Sequence, residues 1–245
     1  MSRIAIVSAM HEELRALLPL LHGARIDRRA GRECHIGRLD GRDVVLVLCG
    51  IGKVAAATTA AVLLDGLDVR ALVLTGVAGG LASAVHVGDV VIASTLLQHD
   101  MDASPLFARY EVPLTGRSHF PADAAVCAAL AAGCRQVLQA PHAALAHFGI
   151  AAPRLHHGLV ISGDRFVATG AESDALRAAL PEALAVEMEG AAVAQVCADF
   201  GRPFGVVRTV SDRADDAAHV DFPRFIDEVA AEFSRDIVRA TLPHL

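Results

Sequence analysis

The sequence predicts an α/β fold, a three-layer sandwich with a central mixed sheet covered by helices, built as a single domain over residues 1–245. Short apolar, β-branched runs alternate with segments of helical spacing along the whole chain, which implies a sheet covered on both faces. No Pro/Ser/Gly linker, charge run or internal repeat divides it. Hydrophobic residues make up 53% of the chain, enough for a sizeable core. Aromatics are only 4% and Trp is absent, so Ala, Val and Leu must do the packing.

The elements follow from spacing. Residues 4–9 are a β-branched apolar strand, and 12–21 continue as a helix with Leu14, Leu17, Leu18 and Leu21 at helical intervals. Residues 43–49 form a second strand ending in GIGKVAAATTAAVLL, whose small side chains suit a helix packed closely on a sheet. A third strand, 71–75, ends in a glycine-rich loop, GVAGGL. Residues 87–97 and 158–162 add strands, while 122–138 and 171–180 read as helices. The stretch LAVEMEGAAVAQVCADF, 184–200, is a short strand, two carboxylates flanking a methionine, and an alanine-rich helix. Residues 204–210 are strand again. A closing helix over 222–242 presents Phe225, Ile226, Val229, Phe233, Ile237 and Val238.

Several function classes drop out. The net charge is −6 with no Lys/Arg cluster, which argues against nucleic acid or an anionic membrane and for a small ligand. The five cysteines lack C-x-x-C spacing and several lie in apolar runs, so they read as reduced core residues. No leader-like start and no membrane-length apolar run is present, and a cytoplasmic protein is expected. The His11-Glu12-Glu13-Leu14-Arg15 run lacks the second histidine of a zinc helix, and His156-His157 at a strand start point to opposite faces. No metal and no cofactor is expected. Gly50 to Ala55 fits G-x-G-x-x-A with Asp68 downstream, but that fingerprint belongs to the first βα turn, and here strands and a helix precede it. Those glycines instead let the backbone approach a neutral ligand or a neighbouring helix. The GVAGG run, 76–80, either lays a ligand on main-chain atoms or simply turns.

What remains is carboxylate chemistry. Glu187 and Glu189 sit where a buried strand gives way to a helix; taken alone, one caps and the other is solvated. SAMHEEL (8–14) and TVSDRADD (209–216) follow two further strands, so three strand ends bring acids to one edge, where ligands of open α/β sheets bind.

SAMHEEL, GIGKVAAA, TGVAGGL, VGDVV, ISGDRF, AVEMEGAA and VVRTVSD occur in an order and spacing that resembles the 5'-methylthioadenosine/S-adenosylhomocysteine nucleosidases of the purine-nucleoside phosphorylase superfamily, over nearly the whole chain. AVEME with R-x-x-S-D about twenty residues later is the specific part. The resemblance implies a nucleoside phosphorylase-like fold and a hydrolase that cleaves the N-glycosidic bond of 5'-substituted adenine nucleosides, acting in methionine salvage as a homodimer. The water-activating glutamate falls on Glu13, the ribose-binding glutamate on Glu189 with Met188 under the sugar, and the purine-protonating acid on Asp212, with Ser211 beside it and Arg208 nearby. Phe166 stacks on adenine and the Val167 backbone bonds to it; Met10, Ile51 and Phe222 line the 5' pocket. Val77, Ala78, Gly79 and Glu187 complete the expected substrate contacts.

Three features depart from the family pattern. Val77 stands where Ser or Thr is usual, which removes a hydroxyl near the ribose or the water. The 99–116 segment, which in this family helps close the 5' pocket across a dimer, differs from the typical form. Residues 139–154 form an extension, and Arg165 replaces a small residue.

The chemistry fits the three acids independently. Breaking a ribose–purine bond creates an oxocarbenium-like sugar and an electron-rich base, so it needs one acid and one stabilising carboxylate. Asp212 must stay protonated, which apolar Val207 and Val210 favour, while Glu13 must be ionised to take a proton from water. Glu189 accepts both hydroxyls of the diol. The alternatives are a purine nucleoside phosphorylase, whose early glycine-to-arginine phosphate motif is missing from SAMHEEL, a futalosine or 5'-deoxyadenosine hydrolase, and a nucleoside-binding protein without turnover.

Overall fold

A computed structural model describes residues 2–140, 142–150, 152–215 and 218–245, without the side chains of 219–221. Asp216 of the acidic segment therefore lies outside the described residues, as do Pro141 and Ala151 of the 139–154 extension.

The chain runs β1 (Arg3–Ser8), α1 (His11–Arg15), β2 (His22–Arg29), β3 (Arg32–Leu39), β4 (Arg42–Leu48), α2 (Lys53–Gly66), β5 (Val69–Gly80), β6 (Val90–Gln98), β7 (His119–Pro121), α3 (Ala124–Leu138), α4 (Ala143–His147), β8 (Leu155–Ser162), α5 (Gly170–Ala179), β9 (Ala183–Glu187), α6 (Gly190–Asp199), β10 (Phe204–Asp212), α7 (Ala218–Phe225) and α8 (Ala231–Thr241). Among the described residues the ten strands form one mixed sheet, in the order β10-β6-β8-β9-β5-β1-β4-β3-β2, with β7 on β6. A further parallel pairing of β10 with β5 closes β5, β10, β6, β8 and β9 into a ring. Helices cover both faces. One core lies under α2 and α6, with Ala60, Leu63 and Val193 fully buried; the other lies under α3 and α8, with Leu130, Phe233 and Ile237. This is the expected α/β architecture. No helix among the described residues is long and apolar enough to cross a membrane.

Three expectations change. The helix expected over 12–21 stops at Arg15, and Leu18–Leu20 is a 3-10 turn, because Pro19 has no N–H to give an α-helix. The hairpin β2–β3 and the short β7 go unread by apolar periodicity; the burial of β2 shows why, since all but two of its residues are exposed. Most consequentially, GVAGG is the second half of β5, paired with β10 from Arg208–Gly76 to Asp212–Gly79, and not a loop.

All five cysteines are free, four of them buried. Asp89 of the VGDVV motif accepts the N–H groups of His86 (2.9 Å) and Arg154 (2.7 Å) and meets His156 Nε2 at 2.8 Å, so this motif fastens the starts of β6 and β8.

Candidate active site

The carboxyl ends of β1, β4, β5, β8, β9 and β10 converge on one cavity of about 320 Å³. Glu13 enters from α1. Its side chain turns back over the helix start, where Oε2 accepts the N–H groups of Ala9 (3.0 Å) and Met10 (3.1 Å), a reach-back that satisfies otherwise orphaned donors. Oε1 accepts the Val77 N–H at 3.2 Å. The residue is 1% exposed. Burial drives its carboxyl above the usual range; Arg208 and the three amides oppose this without cancelling it.

Gly76 makes this approach possible. Its φ is +152°, and a Cβ there would run into the Arg208 guanidinium and stand 2.6 Å from Glu13 Oε1. The glycine-rich run is therefore a strand stripped of side chains so that two charged groups fit against its backbone.

Arg208, buried in the middle of β10, is the pivot of the site. Its Nη2 bonds Glu187 Oε2 and lies 3.2 Å from Glu189 Oε2, while Nη1 reaches Thr75 O at 3.4 Å. Burial works against its charge, but Glu187, Glu189 and Glu13 outweigh that and hold it protonated. The two glutamates flanking Met188 have different surroundings. Glu187 closes β9 and is surrounded by donors: Ser162 Oγ, Arg208, and the N–H groups of Glu189 (3.1 Å) and Gly190 (2.8 Å). It lines the cavity wall, yet its oxygens already serve Arg208 and the start of α6. Among the described residues Glu189 accepts only the Gly52 N–H (2.9 Å) and Arg208, and burial, countered by Arg208 and reinforced by Glu187, pushes its carboxyl up to about 7.

At the end of β10, Asp212 is 1% exposed. Oδ2 accepts the Ser211 hydroxyl at 2.8 Å and Oδ1 the Ala214 N–H at 2.8 Å. Gly79 lies opposite in register, and a Cβ on it would sit 3.1 Å from Asp212 Oδ1, again a glycine that clears room for a carboxylate.

The remaining wall is apolar. Phe166 and Phe222 meet edge to face, centroids 5.3 Å apart, and Met10, Ile51, Val77, Ala78 and Met188 complete it. Of the expected residues only Val167 lies off this cavity; it lines a small adjoining space of about 30 Å³ with Phe166, Gly79, Met188 and Asp212. Sequence reasoning missed Ala9 and Val186 in the wall, and the supporting donors Ser162 and Gly52. The last two sit inside motifs already singled out, ISGD and GIGK, whose glycines drew the attention. Among the described residues no group of His, Cys, Asp or Glu has metal-holding geometry. Four buried carboxyl groups and one engaged guanidinium make the cavity acidic. The cavity thus sets four carboxyl groups and one guanidinium among apolar walls that carry two aromatic rings.

Comparison with known proteins agrees. The phosphorylase superfamily model matches residues 3–243. The solved 5'-methylthioadenosine/S-adenosylhomocysteine nucleosidase from Neisseria meningitidis, in complex with methylthio-immucillin-A, is 32% identical and superimposes with a TM-score of 0.89, each chain fully covered. The nucleosidase from Colwellia psychrerythraea, in complex with adenine, is 34% identical with a TM-score of 0.89, over 100% of this chain and 96% of that one. A futalosine hydrolase mutant of Helicobacter pylori is 27% identical with a TM-score of 0.85 over the full length of both chains. The chain belongs to the phosphorylase superfamily, within its 5'-methylthioadenosine/S-adenosylhomocysteine nucleosidase family.

Proposed function

We propose that this protein hydrolyses the N-glycosidic bond of 5'-substituted adenine nucleosides, 5'-methylthioadenosine and S-adenosylhomocysteine, and releases adenine. The observation that carries the reading is the meeting of Glu13, Glu189 and Asp212, from three strand ends, in one cavity rimmed by Phe166 and Phe222. Adenine lies against Phe166 beside the Val167 backbone. Glu189 takes the ribose diol with Met188 beneath, and Met10, Ile51 and Phe222 face the 5' substituent. As the bond breaks, its electrons pass to the purine, which takes a proton from Asp212; water adds to the oxocarbenium carbon and gives its proton to Glu13. Burial raises the affinity of Glu13 for a proton, the direction a general base needs. Val77 does not deprive Glu13 of support, because it contributes through its main chain.

Water is favoured over phosphate as the nucleophile on electrostatic grounds. Among the described residues Arg208 is the one cation lining the cavity and is already bound to Glu187 and Glu189, so a phosphate would enter among carboxylates. The structural likeness to a futalosine hydrolase keeps that nucleoside as the second reading. Residues 1–245 act as one domain, with no cofactor, in a cytoplasmic homodimer serving methionine salvage; the free cysteines support a reducing compartment. The test is base release from 5'-methylthioadenosine, S-adenosylhomocysteine, adenosine and futalosine, with and without phosphate. The expected result is a phosphate-independent rate and free 5-methylthioribose from the first substrate. A ribose 1-phosphate product would move the chain to the phosphorylases.

A further inference from the structure

The chain carries 22 basic Lys and Arg residues, and only one of them, Lys53, is a lysine. That residue stands at the first position of α2, one step past the Gly52 whose N–H holds Glu189. Its side chain is 15% exposed and draws acceptors from two other segments: Gln98 Oε1 at 3.1 Å at the end of β6 with Asp100 Oδ1 at 2.6 Å just past it, and Asp164 Oδ2 at 4.0 Å beyond β8. The same partners bind main-chain groups. Asp164 Oδ1 accepts the Lys53 N–H at 2.7 Å, capping a helix whose own N-cap is a glycine without a side chain, and Asp100 Oδ2 accepts the Asp164 N–H at 2.9 Å. Three loops are thus closed into a ring of hydrogen bonds, and Gln98 ties it to Gln195 of α6 at 2.8 Å. Two of these loops carry parts of the cavity: Ile51 and Gly52 on one, Phe166 on the other.

We propose that Lys53 is a positioning residue, which with Asp100 and Asp164 clasps these three loops and so sets the Gly52 amide on Glu189 and the Phe166 ring at the cavity rim. The geometry also accounts for the one lysine among so many arginines. Acceptors gather around a single nitrogen, which an ammonium with three donors on one atom satisfies; a planar guanidinium spreads its donors over a fork and is bulkier. A Cβ at Gly52 would lie 3.1 Å from Asp164 Oδ1, so little room remains for a larger head group.

The inference rests on the sugar and base roles proposed above. Its test uses Lys53→Met, Lys53→Arg, Asp100→Asn and the Lys53→Met/Asp100→Asn double variant, assayed for hydrolysis of 5'-methylthioadenosine well below their melting temperatures, with adenine affinity measured by calorimetry. Loosening the loops by a fraction of an ångström to an ångström is expected to lower kcat/KM about 10- to 100-fold in Lys53→Met. The double variant should be no worse than the worse single one, the mark of groups acting as a unit. Lys53→Arg, which keeps the charge, should fail to restore activity. Activity within about twofold of wild type in Lys53→Met, full activity in Lys53→Arg, or strictly additive losses in the double variant would each overturn the proposal. If Lys53→Met does not fold, Lys53→Arg and Asp100→Asn carry the same test. A wild-type chain inert toward 5'-methylthioadenosine would count against the proposed reaction instead. The clasp would then be judged on adenine affinity, which Lys53→Met should weaken about five- to tenfold through the displaced aromatic ring, and unchanged affinity would overturn it.

Discussion

Asp212 has each oxygen fixed by a separate donor, Ser211 Oγ and the Ala214 N–H. Asn at that position keeps the shape, still accepts from Ala214, and bonds Ser211 once its hydroxyl turns, yet it has no acidic proton to give. Asp212→Asn should therefore lower turnover at least about a hundredfold, the lower bound for losing general-acid help, while adenine affinity falls much less. A purely capping Asp212 would instead lose about 1 kcal/mol of stability with turnover spared, so melting temperature and rate on one preparation separate the two. Glu13 gives a paired comparison. Glu13→Gln should cost at least about a hundredfold, whereas Val77→Thr, a near-isosteric swap whose N–H still holds Glu13, should change the rate less than about tenfold. The buried carboxyl groups also set a pH dependence of opposite sign for activity and stability. Glu189 is raised from its ordinary value to about 7, and Glu13 is raised as well, both chiefly by burial. A raised carboxyl stabilises the fold fully below its unfolded value of 4.5 and loses that contribution as pH rises through the folded value. The ligand-free protein should therefore melt at lower temperature as pH climbs from 5 to 8, the span over which Glu189 loses its proton, while activity, which needs ionised Glu13, should rise as Glu13 deprotonates above the usual carboxylate range. Melting curves of Glu189→Gln should show a smaller slope; an unchanged slope would remove Glu189 as its source.

Strand β5 shows how much of the site an element can hide. Alternation and β-branching end at Thr75, so sequence reading stops the strand there and gives the glycines to a loop. Pairing continues to Gly80 because the neighbouring β10 pairs as far as Gly79 and β9 pairs Gly79 and Gly80, and the missing side chains make room for Arg208, Glu13 and Asp212. The family resemblance located nearly every cavity residue, and local periodicity by itself marked only the acids at the strand ends. What local sequence could not supply was the partition of labour between Glu187 and Glu189: both are acids beside Met188, and only the distant Ser162 and Arg208 make one a strut while Gly52 aims the other. Gly76→Ala tests the strand reading. Its side chain would displace a buried ion cluster and force an unfavourable φ, so it should destabilise the protein by about 3 kcal/mol or more and abolish activity together. A variant that melts normally would mean that the backbone yields and the close approach is dispensable.

At the scale of the whole molecule most individual strands were legible, the β2–β3 hairpin and β7 excepted, but the closure of the sheet was not. The apolar strands β1, β4, β5, β6, β8, β9 and β10 each show in local pattern, whereas the ring depends on β10 returning to pair with both β5 and β6, a contact between segments far apart in sequence. The site is assembled by that closure, because Arg208, Ser211 and Asp212 ride on β10. The same scale carries the expectation of a dimer. Among the described residues the large exposed apolar side chains include Ile51 and Phe166, which line the cavity, Val54 near the start of α2, and Leu106 and Leu114, 84% and 91% exposed, between β6 and β7. The Lys53–Asp100 ion pair joins the root of that segment to α2. Isolated exposed apolar residues are ordinary, but two at a cavity proposed to hold an apolar 5' group in a dry pocket, with two more on a segment whose root is tied to α2, point to a covered surface. A homodimer sharing this segment between sites is expected, and Leu106→Asp with Leu114→Asp should shift it toward monomer while leaving the melting of the isolated chain nearly unchanged. Sedimentation at micromolar concentration, paired with the rate on 5'-methylthioadenosine, reads both. A wild-type chain that sediments as a fully active monomer would show that each cavity is complete within one copy.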